Sequence, residues 1–145
     1  MEGQGKIISR GEEYIGNFKE NHKEGNGKSV YANSDIYEGC WKNGKKDGKG
    51  TYKYVNGDVY DGDWKNDKKE GRGVYKRANG SIYEGEYKND TKNGKGVYKW
   101  VDGSIYEGDW KNDLREGVGC KKWSNGSTYS GEWKDNHTSE ANFRY

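Results

Sequence analysis

Aromatic positions recur along this chain in a fixed pattern: an aromatic residue, a glycine two residues on, and a second aromatic two residues further. The opening residues are Tyr14, Tyr37, Tyr60, Tyr83, Tyr106 and Tyr129, always 23 apart. The glycines are Gly16, Gly39, Gly62, Gly85, Gly108 and Gly131, and the second aromatics are Phe18, Trp41, Trp64, Tyr87, Trp110 and Trp133. Spacing by two puts all three side chains on one face of a β-strand. A GxG pair then follows, at Gly25/Gly27, Gly48/Gly50, Gly71/Gly73, Gly94/Gly96 and Gly117/Gly119, opening a second short strand. No stretch has the period of a helix. Self-similarity at this period marks a repeat architecture, in which each unit needs its neighbours to bury its face.

Two punctuation marks divide each unit. Asn56-Gly57, Asn79-Gly80, Asp102-Gly103 and Asn125-Gly126 have the composition of two-residue type I′ hairpin turns, which need positive φ at both central positions. The first unit has Asn33-Ser34 instead, which predicts a weaker turn or one of another type. The polar run before GxG, such as Asn43-Gly44-Lys45-Lys46-Asp47, reads as a longer loop of about five residues. Each unit is therefore two antiparallel strands. The predicted fold is all-β: an elongated, twisted single-layer antiparallel β-meander. The expected organisation is one array over 1–145, with a partial opening repeat at 1–13, five full repeats at 14–128 and a degenerate closing repeat at 129–145.

These loop lengths predict a register, and register decides faces. A two-residue turn at Asn56-Gly57 pairs Lys53 with Tyr60 and Thr51 with Gly62. A five-residue loop at the other end pairs Trp41 with Lys49 and Gly39 with Thr51. One face then carries the opening Tyr, the Gly, the Trp and the residue after GxG (Thr51, Val74, Val97, Cys120). It also carries two basic columns, Lys49, Arg72, Lys95 and Lys53, Lys76, Lys99, Lys122. The other face carries Tyr52, Tyr75, Tyr98, Tyr54, Trp100 and Trp123 with eight acids: Glu38, Asp61, Glu84, Glu107, Asp63, Glu86, Asp109 and Glu132. Cys40 and Cys120 fall on opposite faces. The glycine beside each Trp is expected to leave room for an aromatic from the next strand. A base opposite Trp is expected to add a cation–π contact.

Composition sharpens this picture. Apolar residues are 28% and charged residues 34% of the chain, a balance that alone suggests disorder. Six Trp and thirteen Tyr do not suit a solvated tail. With 24 Gly and no Pro, the backbone needs many special angles. A net charge of +2 gives no pull towards nucleic acid. Cys40 and Cys120 lie outside any CxxC and read as reduced and unpaired. No signal peptide, transmembrane run or lipidation motif is present, so the expected compartment is the cytoplasm.

Candidate chemistry is sparse. Gly27-Lys28-Ser29 has the ending of a P-loop, but the required glycine five residues earlier is His22. His22 and His137 hold equivalent loop positions five units apart, too far to share a metal. The acids repeat with every unit, as a lattice does and an active site does not. The sequons at Asn89, Asn125 and Asn136 are expected to stay unmodified without a secretory signal. No catalytic, cofactor-binding or metal-binding residue is expected, and the chain reads as a non-enzyme.

The segment YEGCWKNGKKDGKGTYKYVNGDVYDGDW at 37–64 resembles the MORN (membrane occupation and recognition nexus) repeat, and the resemblance runs over essentially the whole chain. Two departures stand out. The family's loop glycine after the Trp survives only as Gly44, and its His before GxG is replaced by Glu24, Asp47, Glu70, Asn93 and Glu116. The resemblance implies a non-catalytic scaffold or protein-interaction module in a cytoskeletal, ciliary or membrane-associated assembly. Two alternatives stand beside it: binding of anionic phospholipid such as phosphoinositide, or a repeat domain of a larger enzyme. The candidate lipid or partner face is Lys49, Lys53, Arg72, Lys76, Lys95, Lys99 and Lys122 with Trp41, Trp64 and Trp110. Protein partners are expected, including a homodimer through a terminal edge strand. The preferred edge carries Ala141, Phe143 and Tyr145; the alternative is Lys6-Ile7-Ile8.

Overall fold

The computed structural model describes residues 3–138. Thirteen strands lie side by side in chain order in one sheet, each antiparallel to the next. They are β1 Gly3–Ser9, β2 Glu12–Lys19, β3 His22–Val30, β4 Ile36–Lys42, β5 Lys45–Lys53, β6 Val59–Lys65 and β7 Lys68–Lys76. The array continues with β8 Ile82–Lys88, β9 Thr91–Lys99, β10 Ile105–Lys111, β11 Leu114–Lys122, β12 Thr128–Lys134 and β13 His137–Thr138. There is no helix among the described residues. The all-β single-layer meander expected from the repeat is the observed fold. At roughly 4.8 Å per strand it spans on the order of 60 Å.

The two turn types are exchanged relative to the sequence expectation. The NG and DG sites are not two-residue turns. The Tyr54 amide donates to Asp58 and the Gly57 amide to the Tyr54 carbonyl, enclosing Val55-Asn56-Gly57. Only Gly57 of the Asn-Gly pair has positive φ, at 100°. This is the three-residue hairpin with a glycine bulge. Asn56 is selected for a different reason: its side-chain oxygen accepts from the Asp58 amide, at 2.9 Å. The Asn33-Ser34 turn has the same hydrogen bonds, with Ser34 forced to φ 79°. The expected five-residue loops are the true two-residue turns. Lys42 pairs with Lys45 around Asn43 (φ 49°) and Gly44 (φ 80°), and Lys65 pairs with Lys68 around Asn66 (φ 49°) and Asp67 (φ 70°). Of the rest of the polar run, Lys45 and Lys46 pair with Lys42 and Trp41, and Asp47 enters a bulge at Gly48, φ 100°.

Both corrections shift the register by one residue. Gly39 pairs with Gly50, not Thr51, and Tyr52 pairs with both Tyr37 and Tyr60. The faces change accordingly. Opening tyrosines, tryptophans and the Tyr52, Tyr75, Tyr98 column share one face. Lys49, Lys53, Arg72, Lys76, Lys95, Lys99 and Lys122 sit on the opposite face, among the acids. Trp41, Trp64 and Trp110 are therefore separated from all seven bases by the sheet. Cys40 aligns with Asn26 and Cys120 with Glu107, so both thiols lie on the charged face, not on opposite ones; both are free.

An unbroken line of paired glycines crosses β1 to β12 through Gly5, Gly16, Gly27, Gly39 and onwards to Gly131. Two kinds of glycine alternate in it. The second glycine of GxG lies under the opening Tyr of the preceding strand, as Gly50 lies under Tyr37. The glycine next to the Trp instead meets backbone: a Cβ on Gly62 would stand 2.5 Å from Gly73 Cα and 2.6 Å from the Arg72 carbonyl. The expected room for a neighbouring ring is therefore supplied by the GxG glycine. In the opening unit the hairpin shortens to Arg10-Gly11, a two-residue turn that keeps Gly5 opposite Gly16.

Candidate functional site: an aromatic trough

The core is one face of the sheet. Tyr37, Tyr60 and Tyr106 are fully buried, and Trp41, Trp64, Trp110 and Trp133 nearly so. They form a continuous zigzag of edge-to-face contacts. Tyr37 meets Trp41 at 5.0 Å and Trp64 at 5.5 Å; Tyr60 meets Trp64 at 5.1 Å and Tyr87 at 5.2 Å. Tyr106 continues it to Trp110 and Trp133, each at 5.2 Å. Such pairs add about 0.5–1.5 kcal/mol each beyond their burial. Polar atoms of the rings are satisfied by backbone. Tyr60 donates to the Asp63 carbonyl at 2.9 Å, and Trp64 Nε1 to the Gly50 carbonyl at 3.1 Å. Burial pushes the phenols up, to about 12 for Tyr14 and Tyr106.

A column of cations covers these rings: Lys23, Lys46, Lys69, Lys92 and Arg115, again 23 apart. Lys46 Nζ stands over four rings, Tyr31, Tyr37, Tyr52 and Trp64, at 5.1 to 5.9 Å. Arg115 lies over Trp133 at 4.9 Å and Trp100 at 5.4 Å. Burial lowers the pKa of Lys46 and Lys69 even though Asp67 and Asp90 stand nearby. Each cation is tied to the next unit's turn. The Lys46 amide donates to Asp67 Oδ1 at 2.8 Å, and the Asp67 amide returns to the Lys46 carbonyl at 2.9 Å. Lys69 with Asp90 and Lys92 with Asp113 repeat the arrangement. Sequence reasoning missed this column, because it placed these residues in a solvated loop. The signal that could have found it is an invariant base two residues before GxG.

Outside the zigzag lies a second aromatic row, only half-buried: Tyr31, Tyr52, Tyr54, Tyr75, Tyr98 and Trp100. Tyr52 and Tyr75 donate to Asp35 and Asp58, both at 2.8 Å. Those carboxylates also accept the Val55 and Ala78 amides. Burial opposes ionisation of Asp35 and Asp58, but these hydrogen bonds outweigh it and hold both pKa values low. Cavities on this face are lined from both rows of turns, by Asp58 and Arg77 on one side and Asp90 and Asp113 on the other. The face is thus a trough with aromatic walls and charged groups at its rim.

The opposite face is a lattice of exposed charge. Lys49 pairs with Asp63 and Lys95 with Asp109, and all seven bases of the candidate face are exposed. Trp41, Trp64 and Trp110 are buried on the trough side and do not join them. Of the candidate dimer edges, Ala141, Phe143 and Tyr145 lie outside the described residues; Lys6-Ile7-Ile8 forms part of β1, with Ile8 67% exposed. Among the described residues there is no grouping of three or more His, Cys, Asp or Glu that could hold a metal ion. No described helix is long and apolar enough to cross a membrane.

The MORN repeat family model matches this chain six times in succession, at residues 14–36, 37–59, 60–82, 83–105, 106–128 and 129–137. The chain belongs to the MORN repeat family. Among solved structures it is similar to the TCP domain of SAS-4 (dCPAP) of Drosophila melanogaster, solved in complex with a proline-rich motif of Ana2 (dSTIL). That similarity has 17% identity over 90% of each chain and a TM-score of 0.43. No curated protein matches the chain.

Proposed function

We propose that this protein is a non-catalytic scaffold whose trough binds protein partners, within a cytoplasmic assembly associated with cytoskeleton or membrane. The observation that carries the reading is the half-buried outer row from Tyr31 to Trp100. Its rings are ordered by hydrogen bonds and cations, yet keep exposed area along the trough. Rigid aromatic rings beside fixed polar groups are what protein interfaces use as anchors. The acids and bases of the opposite face repeat with every unit, and we assign no reaction to them. Capture from extracts of the source cells tests the proposal, with three baits compared: the protein itself, a Tyr52→Ser/Tyr98→Ser variant, and a Lys53→Glu/Lys76→Glu/Lys99→Glu variant. Proteins retained by the first and third baits but lost from the second support it. Retention unaffected by the trough changes overturns it.

Anionic-lipid binding, the alternative, would need a face of bases without acids. The face that carries Lys53, Lys76 and Lys99 also carries Glu38, Asp61, Glu84 and Glu107, paired across the strands with Lys28, Thr51, Val74 and Val97. Sedimentation with phosphatidylserine vesicles should therefore show little binding at about 0.1 M salt, where exposed charges are screened beyond about 10 Å. Homodimerisation remains part of the proposal, through the Ala141 to Tyr145 segment or through β1. Light scattering over a concentration series, with and without residues 138–145, reads it directly.

A further inference from the structure

The trough is periodic, and its period is broken in the third full unit. Beside Tyr52 stand Tyr54 at 4.5 Å and Trp64 at 6.0 Å. Beside Tyr98 stand Trp100 at 4.6 Å and Trp110 at 6.1 Å. The same two places beside Tyr75 are taken by Arg77 and the smaller Tyr87. In the cation column two members lie over the ring 15 residues back, while Lys69 lies over Tyr60, Tyr75 and Tyr87. Lys46 lies over Tyr31 and Arg115 over Trp100, each ring 15 residues back. Fifteen back from Lys92 is Arg77, a second cation where a ring belongs.

A cavity of about 240 Å³ opens at this point, lined by Tyr75, Arg77, Tyr83, Tyr87, Lys92 and Tyr98 among others. The Tyr of the outer row is also replaced by Lys121, which lies over Trp100 at 4.3 Å, and by Ser29, where a cavity of about 640 Å³ opens. There Glu12 enters and takes bonds from Ser29 at 2.8 Å and Lys23 at 2.6 Å, so a carboxylate of this chain serves that gap.

We infer that the gap beside Arg77 and Tyr87 is a socket for one aromatic side chain of a protein partner. The inference rests on the trough being the interaction surface. Three features select the occupant. The equivalent places in flanking units hold Tyr or Trp rings of this chain, so their surroundings show what fits. The charges around the cavity balance, Lys69, Arg77 and Lys92 against Asp58, Asp90 and Asp113, so the missing element is a π face and not a net charge. The space lies below the roughly 300–1,000 Å³ of drug-sized pockets and suits a single side chain. Half-buried rings on both sides, Tyr52 and Tyr54 before it and Tyr98 and Trp100 after it, continue the path for the rest of a bound segment.

The test needs no partner. N-acetyl-tryptophanamide, N-acetyl-tyrosinamide and N-acetyl-leucinamide are titrated into ¹⁵N-labelled protein. Expected are saturable shifts centred on Tyr75, Arg77, Tyr87 and Lys92, with a Kd of about 1 mM for the aromatic amides and at least about fivefold weaker binding of the leucine amide. Arg77→Trp, which restores the ring seen at Trp100, and Tyr87→Trp, which restores that at Trp110, should each weaken binding about tenfold. The spectra of the variants report their folding, and the comparison of aromatic with aliphatic probe in the unaltered protein stands independently of them. Equal binding of the leucine amide, undiminished binding by folded Arg77→Trp, shifts centred elsewhere or no saturable shift overturns the socket. If the socket fails while the Tyr52→Ser/Tyr98→Ser bait still loses its partners, only the aromatic occupant is refuted. If the socket binds while that bait keeps its partners, the wider trough reading is refuted.

Discussion

The phenol of Tyr60 lies across Gly73, and any Cβ on that glycine would overlap its ring and hydroxyl. The same hydroxyl donates to the Asp63 carbonyl, so it has no free direction in which to retreat. Opposite Gly73, Gly62 presses backbone against backbone. Small-to-large changes in packed sites cost about 1–3 kcal/mol, and more where backbone must move. Gly73→Ala and Gly62→Ala should each cost about 3 kcal/mol or more in urea unfolding. Lys65→Ala, exposed at the end of β6, should stay within about 0.5 kcal/mol. Equal midpoints for the three variants would remove the glycine line from the account of stability.

Lys46 and Lys49 differ by three positions and by the face they occupy. Lys46 keeps only 14% of its side-chain exposure, beneath four rings and 3.7 Å from Asp67. Lys49 is 79% exposed beside Asp63. A desolvated cation–π contact contributes about 2 kcal/mol, and the buried stem adds packing. Lys46→Ala should therefore destabilise by about 2–3 kcal/mol, while Lys49→Ala, an exposed ion pair, should change stability by less than about 1 kcal/mol. Denaturant unfolding of the two variants decides; similar losses would mean that the buried column is not structural.

The period, the strand count per unit and the single layer were legible because they depend on spacing alone. Tyr14 to Tyr129 at intervals of 23 admit few other architectures. The faces were not legible, because they depend on loop length to the single residue. Asn56-Gly57 has the composition of a two-residue turn but closes a three-residue one, in which Asn caps and Gly alone takes positive φ. Asn66-Asp67 has no glycine and yet takes positive φ twice. Each one-residue difference in loop length flips a strand, and the two flips cancel, so the register that composition implies is self-consistent yet lies one residue from the observed one at both ends. The trough was hidden for the same reason: it needs Tyr52 beside Tyr60 and Lys46 inside.

Alkaline pH should unfold this protein cooperatively. Burial raises the pKa of Tyr14, Tyr54 and Tyr106 to about 12, and burial pushes Tyr37, Tyr60 and Tyr83 up as well. An unfolded tyrosine titrates near 10. The folded state then holds more protons than the unfolded state, so stability is complete below about pH 10 and falls as pH rises towards 12. Lys46 and Lys69 act in the opposite sense at lower pH. Their pKa values are lowered by burial, so the cost of holding them charged is relieved as pH approaches about 10.5. Urea midpoints from pH 8 to 12, read together with phenolate absorbance, test this. Titration of nearly all thirteen phenols near pH 10 while the circular dichroism of the sheet persists would show that the rings are not held neutral by the fold.

Ser34 holds φ 79° at the place where Gly57, Gly80, Gly103 and Gly126 sit in the other units. Its turn has the same hydrogen bonds as theirs: the Ser34 amide to the Tyr31 carbonyl and the Tyr31 amide to Asp35, both 2.9 Å. A left-handed conformation costs an L-residue about 1–2 kcal/mol that glycine does not bear. Glycine gives back part of this through the greater freedom of the unfolded chain. The Ser34 side chain is exposed, so its removal should lose little packing. Ser34→Gly is therefore expected to stabilise the protein by about 0.5–1 kcal/mol, and Gly57→Ser to destabilise it by a similar amount. Paired thermal and urea melts give both signs. A destabilised Ser34→Gly variant would mean that the serine makes a contact worth more than the strain it bears.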